Sequence, residues 1–257
     1  MKSLWTGAIG FGLVNIPVKM YSAVESSSLD LDMLDSKDHA NIRFKRINER
    51  SGKEVTWENI VKGYKVNDDY VILTDEDFEA ASVEKSKVIA ISDFVSEDEI
   101  DSIYFESPYY LEPDKSGERA YVLLQEALLK TGKVGIATFV MRSREHLAIL
   151  RATEAVIILN KLRFAEEVRA ASELAIPSKS SLKKGELEMA ITLINQLTGQ
   201  FDISAYKDTY TESLLKLINA KAKGSKTKAP HLKVVPSKST DLMAQLKASL
   251  SKQKKAS

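Results

Sequence analysis

Trp5-Thr6-Gly7-Ala8-Ile9-Gly10-Phe11-Gly12-Leu13-Val14-Asn15-Ile16-Pro17-Val18-Lys19-Met20-Tyr21 decides how the chain is read. Its apolar residues hold odd positions, Trp5, Ile9, Phe11 and Leu13, and then even ones, Val14, Ile16, Val18 and Met20. Side chains alternate faces along a strand. The parity change at Leu13-Val14 therefore predicts one long β element broken by a bulge or sharp bend, as where a strand turns the corner of a barrel. Gly7, Gly10 and Gly12 remove side chains where another backbone or a tight curve comes close, and Pro17 belongs at an edge or break of the ladder. These glycines do not form a phosphate loop: the third glycine of the dinucleotide fingerprint is missing, and no helical pattern follows.

The 257 residues, 44% of them hydrophobic, suffice for one large core or for one core with an appendage. The absence of cysteine excludes disulfides, thiolate catalysis and cysteine-bound zinc, and suits a reducing cytosol. His39, His146 and His231 are too scattered to read as a metal motif. No apolar run is long enough for a signal peptide or a membrane span, so a cytoplasmic protein without membrane attachment is expected. The net charge of +1 is uninformative, but its distribution is not. Residues 216–257 hold eleven lysines and one acid, Asp241, a net +10 on a body of −9. Such a tail favours polyanion binding.

Residues 29–33 alternate as a half-buried strand. Residues 42–47 and 54–57 read as a hairpin around a turn at 48–53, centred on Ser51-Gly52. Arg43 and Lys45 share one parity opposite Ile42 and Phe44, and Arg46, Arg50 and Lys53 add charge near the tip. Long cationic side chains on a thin two-stranded ribbon suit phosphate tracking; on the residues alone, an exposed amphipathic hairpin serves as well.

Residues 65–106 hold thirteen acids and three bases. Thr74-Asp75-Glu76-Asp77 and Ser96-Glu97-Asp98-Glu99 read as helix starts. An acidic surface repels phosphate, so this stretch is expected to lie away from any nucleic acid. Strands are predicted at 88–91 and 108–113, a helix at 117–131 with Tyr121, Leu124 and Leu128 on one face, and strands at 134–141, 146–152 and 155–162. The turn at 142–146 places Arg142 and Arg144 at a strand end.

From Gly185 the period becomes helical. Leu187, Ala190, Ile191, Ile194 and Leu197 form one stripe, and Thr209 opens a second helix through Leu214, Leu215, Leu217 and Ile218. These apolar faces pack on the same chain or across a two-fold axis. Residues 221–238, with Lys221, Lys223, Lys226 and Lys228, have a disordered composition. Residues 239–250 recover a short amphipathic helix, with Leu242, Met243, Leu246 and Leu250 on one stripe that docks back or enters a partner's groove. No metal cluster, activated nucleophile or isolated carboxylate pair is present, so neither an enzyme nor a cofactor is expected.

Gly10-Phe11-Gly12-Leu13-Val14-Asn15-Ile16-Pro17-Val18-Lys19 with Tyr21 resembles the opening of the prokaryotic Ku proteins. The resemblance continues through Lys37-Asp38-His39, Ile42-Arg43-Phe44-Lys45-Arg46, Leu73-Thr74-Asp75-Glu76-Asp77-Phe78, Tyr109-Tyr110-Leu111-Glu112-Pro113, Gly132-Lys133-Val134-Gly135-Ile136-Ala137 and Tyr206-Lys207-Asp208-Thr209-Tyr210. It implies an α+β, mainly β fold. A β-barrel core spans 1–184 with an inserted DNA-encircling bridge near 36–66, followed by a helical arm at 185–222 and a basic tail at 223–257. It further implies a ring-shaped homodimer that binds double-stranded DNA ends in non-homologous end joining, recruits and stimulates an ATP-dependent DNA ligase, and joins the nucleoid when bound. The DNA contacts it suggests are Arg43, Lys45, Arg46, Arg50 and Lys53, then Arg142 and Arg144, then the lysines at 221, 223, 226 and 228; the stripe at 242–250 becomes a partner contact. The rival expectations are a general nucleic-acid binder acting through its tail, and a repair scaffold without end threading.

Overall fold

The computed structural model describes residues 1–81, 87–177, 185–224, 243–246 and 249. The chain divides into two compact units, one of residues 1–26 and 30–170 and one of residues 27–29 and 171–257.

The first unit holds β1 (Trp5–Phe11), β2 (Val14–Ser22), β3 (Lys62–Val66), β4 (Asp69–Leu73), α1 (Asp75–Ala81), β5 (Val88–Ser96), β6 (Phe105–Pro113), α2 (Glu118–Thr131), β7 (Lys133–Met141), β8 (Arg144–Ala152) and β9 (Ile157–Leu162). Seven strands close into a barrel in the order β1-β2-β6-β9-β8-β7-β5, and β3 and β4 form a separate hairpin. The barrel closes through the parallel pair β1–β5, from Ala8↔Val88 to Gly10↔Ala90.

The opening stretch is two strands, not one bent strand. Phe11 pairs with Val14 and Ile9 with Ile16, leaving Gly12-Leu13 as a two-residue turn. Such a loop pairs odd with even residues, and this moves the apolar set from odd to even positions. Gly12 takes φ +56 at the first turn position, where a hairpin tolerates glycine best. Ile9, Ile16, Val18 and Met20 are wholly buried in the barrel core. A side chain at Gly7 would strike the Trp5 ring, which lies over it while the Trp5 indole N–H donates to the Val140 carbonyl at 3.0 Å.

The α2 face of Tyr121, Leu124 and Leu128 packs into the same core. The buried Tyr121 hydroxyl donates to the Leu111 carbonyl and accepts from the Ile157 amide, both at 2.7 Å, so two strands lean on one phenol. Gly132, at φ +62, ends α2 in the left-handed conformation.

Several local expectations change. Residues 29–33 form no strand; only the bridge Leu34↔Asn41 follows them. The strand from Val88 runs on to Ser96, across a register shift between Ile91 and Asp93. Ser96 opens a single 3-10 turn, Glu97–Glu99, rather than a helix. The turn expected at 142–146 contracts to Arg142-Ser143, both at positive φ (53 and 62), and Arg144 joins β8 opposite Met141. The β3–β4 hairpin, turning at Asn67 with φ 55, straddles the end of the expected bridge and the start of the acidic stretch, and no strand is expected at either arm.

The second unit contains α3 (Glu186–Leu197) and α4 (Thr209–Ala222). The cap of α4 is Asp208, not Thr209: its carboxylate accepts the Thr211 amide at 3.0 Å, one residue earlier than the hydroxyl predicted for the role. Leu187, Ile191, Ile194 and Leu197 on α3, and Leu215 and Ile218 on α4, are exposed. Residues 243–246 are helical, and the Met243 methyl lies 3.9 Å from where a Gly185 side chain would begin.

Candidate nucleic-acid interface

Residues 36–66 bury almost nothing: every residue except the half-buried Val55 is exposed. Local hydrogen bonds hold the segment instead of a core. The hairpin over 42–57 is pinned by Ile47↔Glu54 and by the Val55 amide on the Arg46 carbonyl, with one isolated bridge in place of the ladder expected from the pattern. Its tip is organised by Asn48, whose side-chain carbonyl accepts the amides of Arg50 and Ser51 at 3.0 Å each, and by Gly52 at φ +66.

The segment carries eight Lys and Arg against four Asp and Glu. Its cations differ in freedom. Lys45 is bound to Glu54 at 2.6 Å, and the Arg46 guanidinium stands 4.7 Å from the centroid of the Trp57 ring. Arg43, Arg50 and Lys53 are exposed and enter no ion pair among the described residues. Beside them Phe44 is 79% and Trp57 70% exposed, aromatic area that an isolated chain leaves in water.

Arg142 and Arg144 lie at the β7–β8 turn. With Ser143 they line a cleft of about 540 Å³ whose other walls are Lys62, Asp75, Phe78 and Glu79. The Lys62 ammonium sits 4.5 Å from the centroid of the Phe78 ring. The acidic stretch, expected to lie away from any nucleic acid, thus places two carboxylates of α1 in one cleft with two arginines. Hydropathy carries no sign of this, because the cleft joins residues more than sixty positions apart in sequence. Sequence reasoning missed Lys62 and Phe78; the turn pair Asn67-Asp68 between Tyr64-Lys65-Val66 and Tyr70-Val71-Ile72 was the available signal.

Lys221 and Lys223 are exposed at the C-terminal end of α4, where the helix dipole favours cations. Lys226, Lys228, Leu242 and Leu250 lie outside the described residues. Met243 and Leu246 are half-buried.

A larger cleft, about 690 Å³, opens on residues of β2, β6 and the β8–β9 region, including Tyr21, Tyr110, Glu112 and Ile158. The Tyr21 hydroxyl donates to Glu112 at 2.6 Å, and this bond is the main cause raising the Tyr21 pKa. Among the described residues no His, Asp and Glu group could hold a metal ion, and no helix is long and apolar enough to cross a membrane. His146 packs on Phe139, with ring centroids 5.4 Å apart; burial, then the charge of Lys161, lowers its pKa.

Comparison with known proteins gives a consistent result. The family described as the Ku70/Ku80 beta-barrel domain matches residues 10–189. A protein of Bacillus subtilis is 41% identical over 97% of this chain and 82% of its own length, and one of Opitutus terrae is 42% identical over 97% and 91%. A third, from Archaeoglobus fulgidus, is 41% identical over 87% and 89%. Each of the three is named non-homologous end joining protein Ku.

Proposed function

The chain belongs to the Ku β-barrel family, and on that premise we propose that it binds ends of double-stranded DNA in non-homologous end joining, without reading sequence, as a homodimer whose two copies close a ring. The observation that carries this reading is residues 36–66: a thin, basic, coreless segment attached to a closed barrel. A chain orders such a segment at a cost in entropy, and the segment here recovers little of that cost from burial. DNA phosphates on Arg43, Lys45, Arg46, Arg50 and Lys53, and a second copy on Phe44 and Trp57, supply what one chain lacks. Arg142 and Arg144 add to the same wall, and Lys221, Lys223, Lys226 and Lys228 extend the attraction beyond it.

A ring turns modest attraction to phosphate into retention, since release requires sliding back off the end. The exposed stripes of α3 and α4 support a two-fold partner. Domain bounds of 1–184, 185–222 and 223–257 follow this division of labour. The stripe at Leu242, Met243, Leu246 and Leu250 is the surface for the end-joining ligase. The protein acts by binding and recruitment, without catalysis of its own, in the cytoplasm and on the nucleoid.

Competition between a linear duplex and a covalently closed circle of the same sequence tests the proposal. Linear DNA is expected to win clearly, and residues 1–222 are expected to keep that preference. Equal competition by the circle contradicts threading; loss of all binding in residues 1–222 favours a basic-tailed general binder.

A further inference from the structure

The cleft between α1 and the β7–β8 turn has a lining that a duplex backbone does not require. Contacts to sugar and phosphate need cations and neutral donors, and a carboxylate beside them weakens the attraction. Here Lys62, Arg142 and Arg144 share about 540 Å³ with Asp75, Glu79 and Phe78. An unpaired nucleotide uses all three kinds of group. Its phosphate takes the cations, its base takes an aromatic surface, and the exposed N–H donors of the base edge take acceptors. The volume suits a small ligand. The Lys62 ammonium stands over the Phe78 ring, which is still 37% exposed. Arg142 is held by a two-residue hairpin turn, and Arg144 by the β7–β8 ladder.

We propose that this cleft receives the first unpaired nucleotide of a single-stranded overhang at the DNA end. The phosphate sits on Arg142, Arg144 and Lys62, the base lies against Phe78, and base N–H groups donate to Asp75 or Glu79. The inference rests on the end-binding reading and adds to it a site for the strand that extends past the duplex.

The test uses the full chain and hairpin duplexes with one open end, either blunt or carrying a two-nucleotide 3′ or 5′ overhang, titrated by fluorescence anisotropy. An overhang of one polarity is expected to bind roughly fivefold or more tighter than the blunt end. Phe78→Ala is expected to remove that difference while leaving blunt-end affinity unchanged, and Phe78→Trp to keep it. Asp75→Asn with Glu79→Gln is expected to reduce the overhang preference more for dA, dC and dG, whose exocyclic amines are donors, than for dT, which has none. Equal affinity of the wild type for blunt and overhanging ends overturns the proposal. So does an Asp75→Asn, Glu79→Gln variant that tightens both kinds of end alike, since the carboxylates then only repel DNA. Absence of blunt-end binding sinks the end-binding reading instead, a separate outcome.

Discussion

In the barrel, Ile9, Ile16, Val18, Met20, Leu111, Leu150, Ile157 and Leu159 are wholly buried, whereas in residues 36–66 even Phe44 and Trp57 face solvent. Both regions belong to one compact unit. The barrel is stabilised by burying apolar area in a sheet that has no free edge, so it needs nothing from outside. The ribbon is shaped by turn hydrogen bonds at Asn48 and Gly52, by Lys45 on Glu54 and by Arg46 on Trp57, each a small contribution at the surface. A segment so shaped yet so little buried is built for an external surface. The contrast assigns stability to one region and binding to the other.

That assignment breaks if mutations cross over. The largest effect is expected at Leu111→Ala, which removes a wholly buried side chain from the core and is predicted to cost about 2 to 5 kcal/mol in urea denaturation. Next, replacing Arg43, Arg50 and Lys53 together with alanine is expected to lower affinity for a linear duplex by roughly tenfold to a hundredfold. The log–log salt slope should fall by about one for each phosphate that the variant no longer neutralises. Denaturation of this triple variant should shift by no more than about 0.5 kcal/mol; a larger shift would mean that the ribbon also supports the fold.

The smallest effect concerns pH. Burial holds the His146 pKa below its ordinary value of 6.5, so the fold favours the neutral ring. The contribution of the neutral ring is fully present above pH 6.5 and is lost as pH falls from 6.5 through the lowered folded value. Between about pH 7.5 and 5.5 the melting temperature of the wild type is expected to fall slightly more than that of His146→Gln. Equal falls would show that His146 does not feel the barrel wall.

Much of the barrel was legible because burial writes a period into sequence. Tyr121, Leu124 and Leu128 announced α2, and the alternation through 134–162 announced three strands. The parity change at Leu13-Val14 was visible, yet a bulge and a two-residue loop leave the same trace, and only the pairing of Phe11 with Val14 separates them. The β3–β4 hairpin left a fainter mark: its strands are almost entirely exposed, so no core face imposed an alternation on them. The cations of the candidate interface were legible as residue types in a ribbon. Their partners Glu54 and Trp57 depend on which residues the turn at 48–53 brings across, and the cleft that joins Asp75 and Glu79 to Arg142 depends on tertiary folding. The Asp208 cap was missed because two adjacent side chains could each serve, and the carboxylate is the one that meets the Thr211 amide.

The central claim is that a second copy and a DNA end complete what residues 36–66 leave open. The mass in solution of the 28.6 kDa chain with a short blunt duplex tests it most directly. Two chains per duplex are predicted, with the pair persisting when the DNA is removed. One chain per duplex at every concentration would contradict the account.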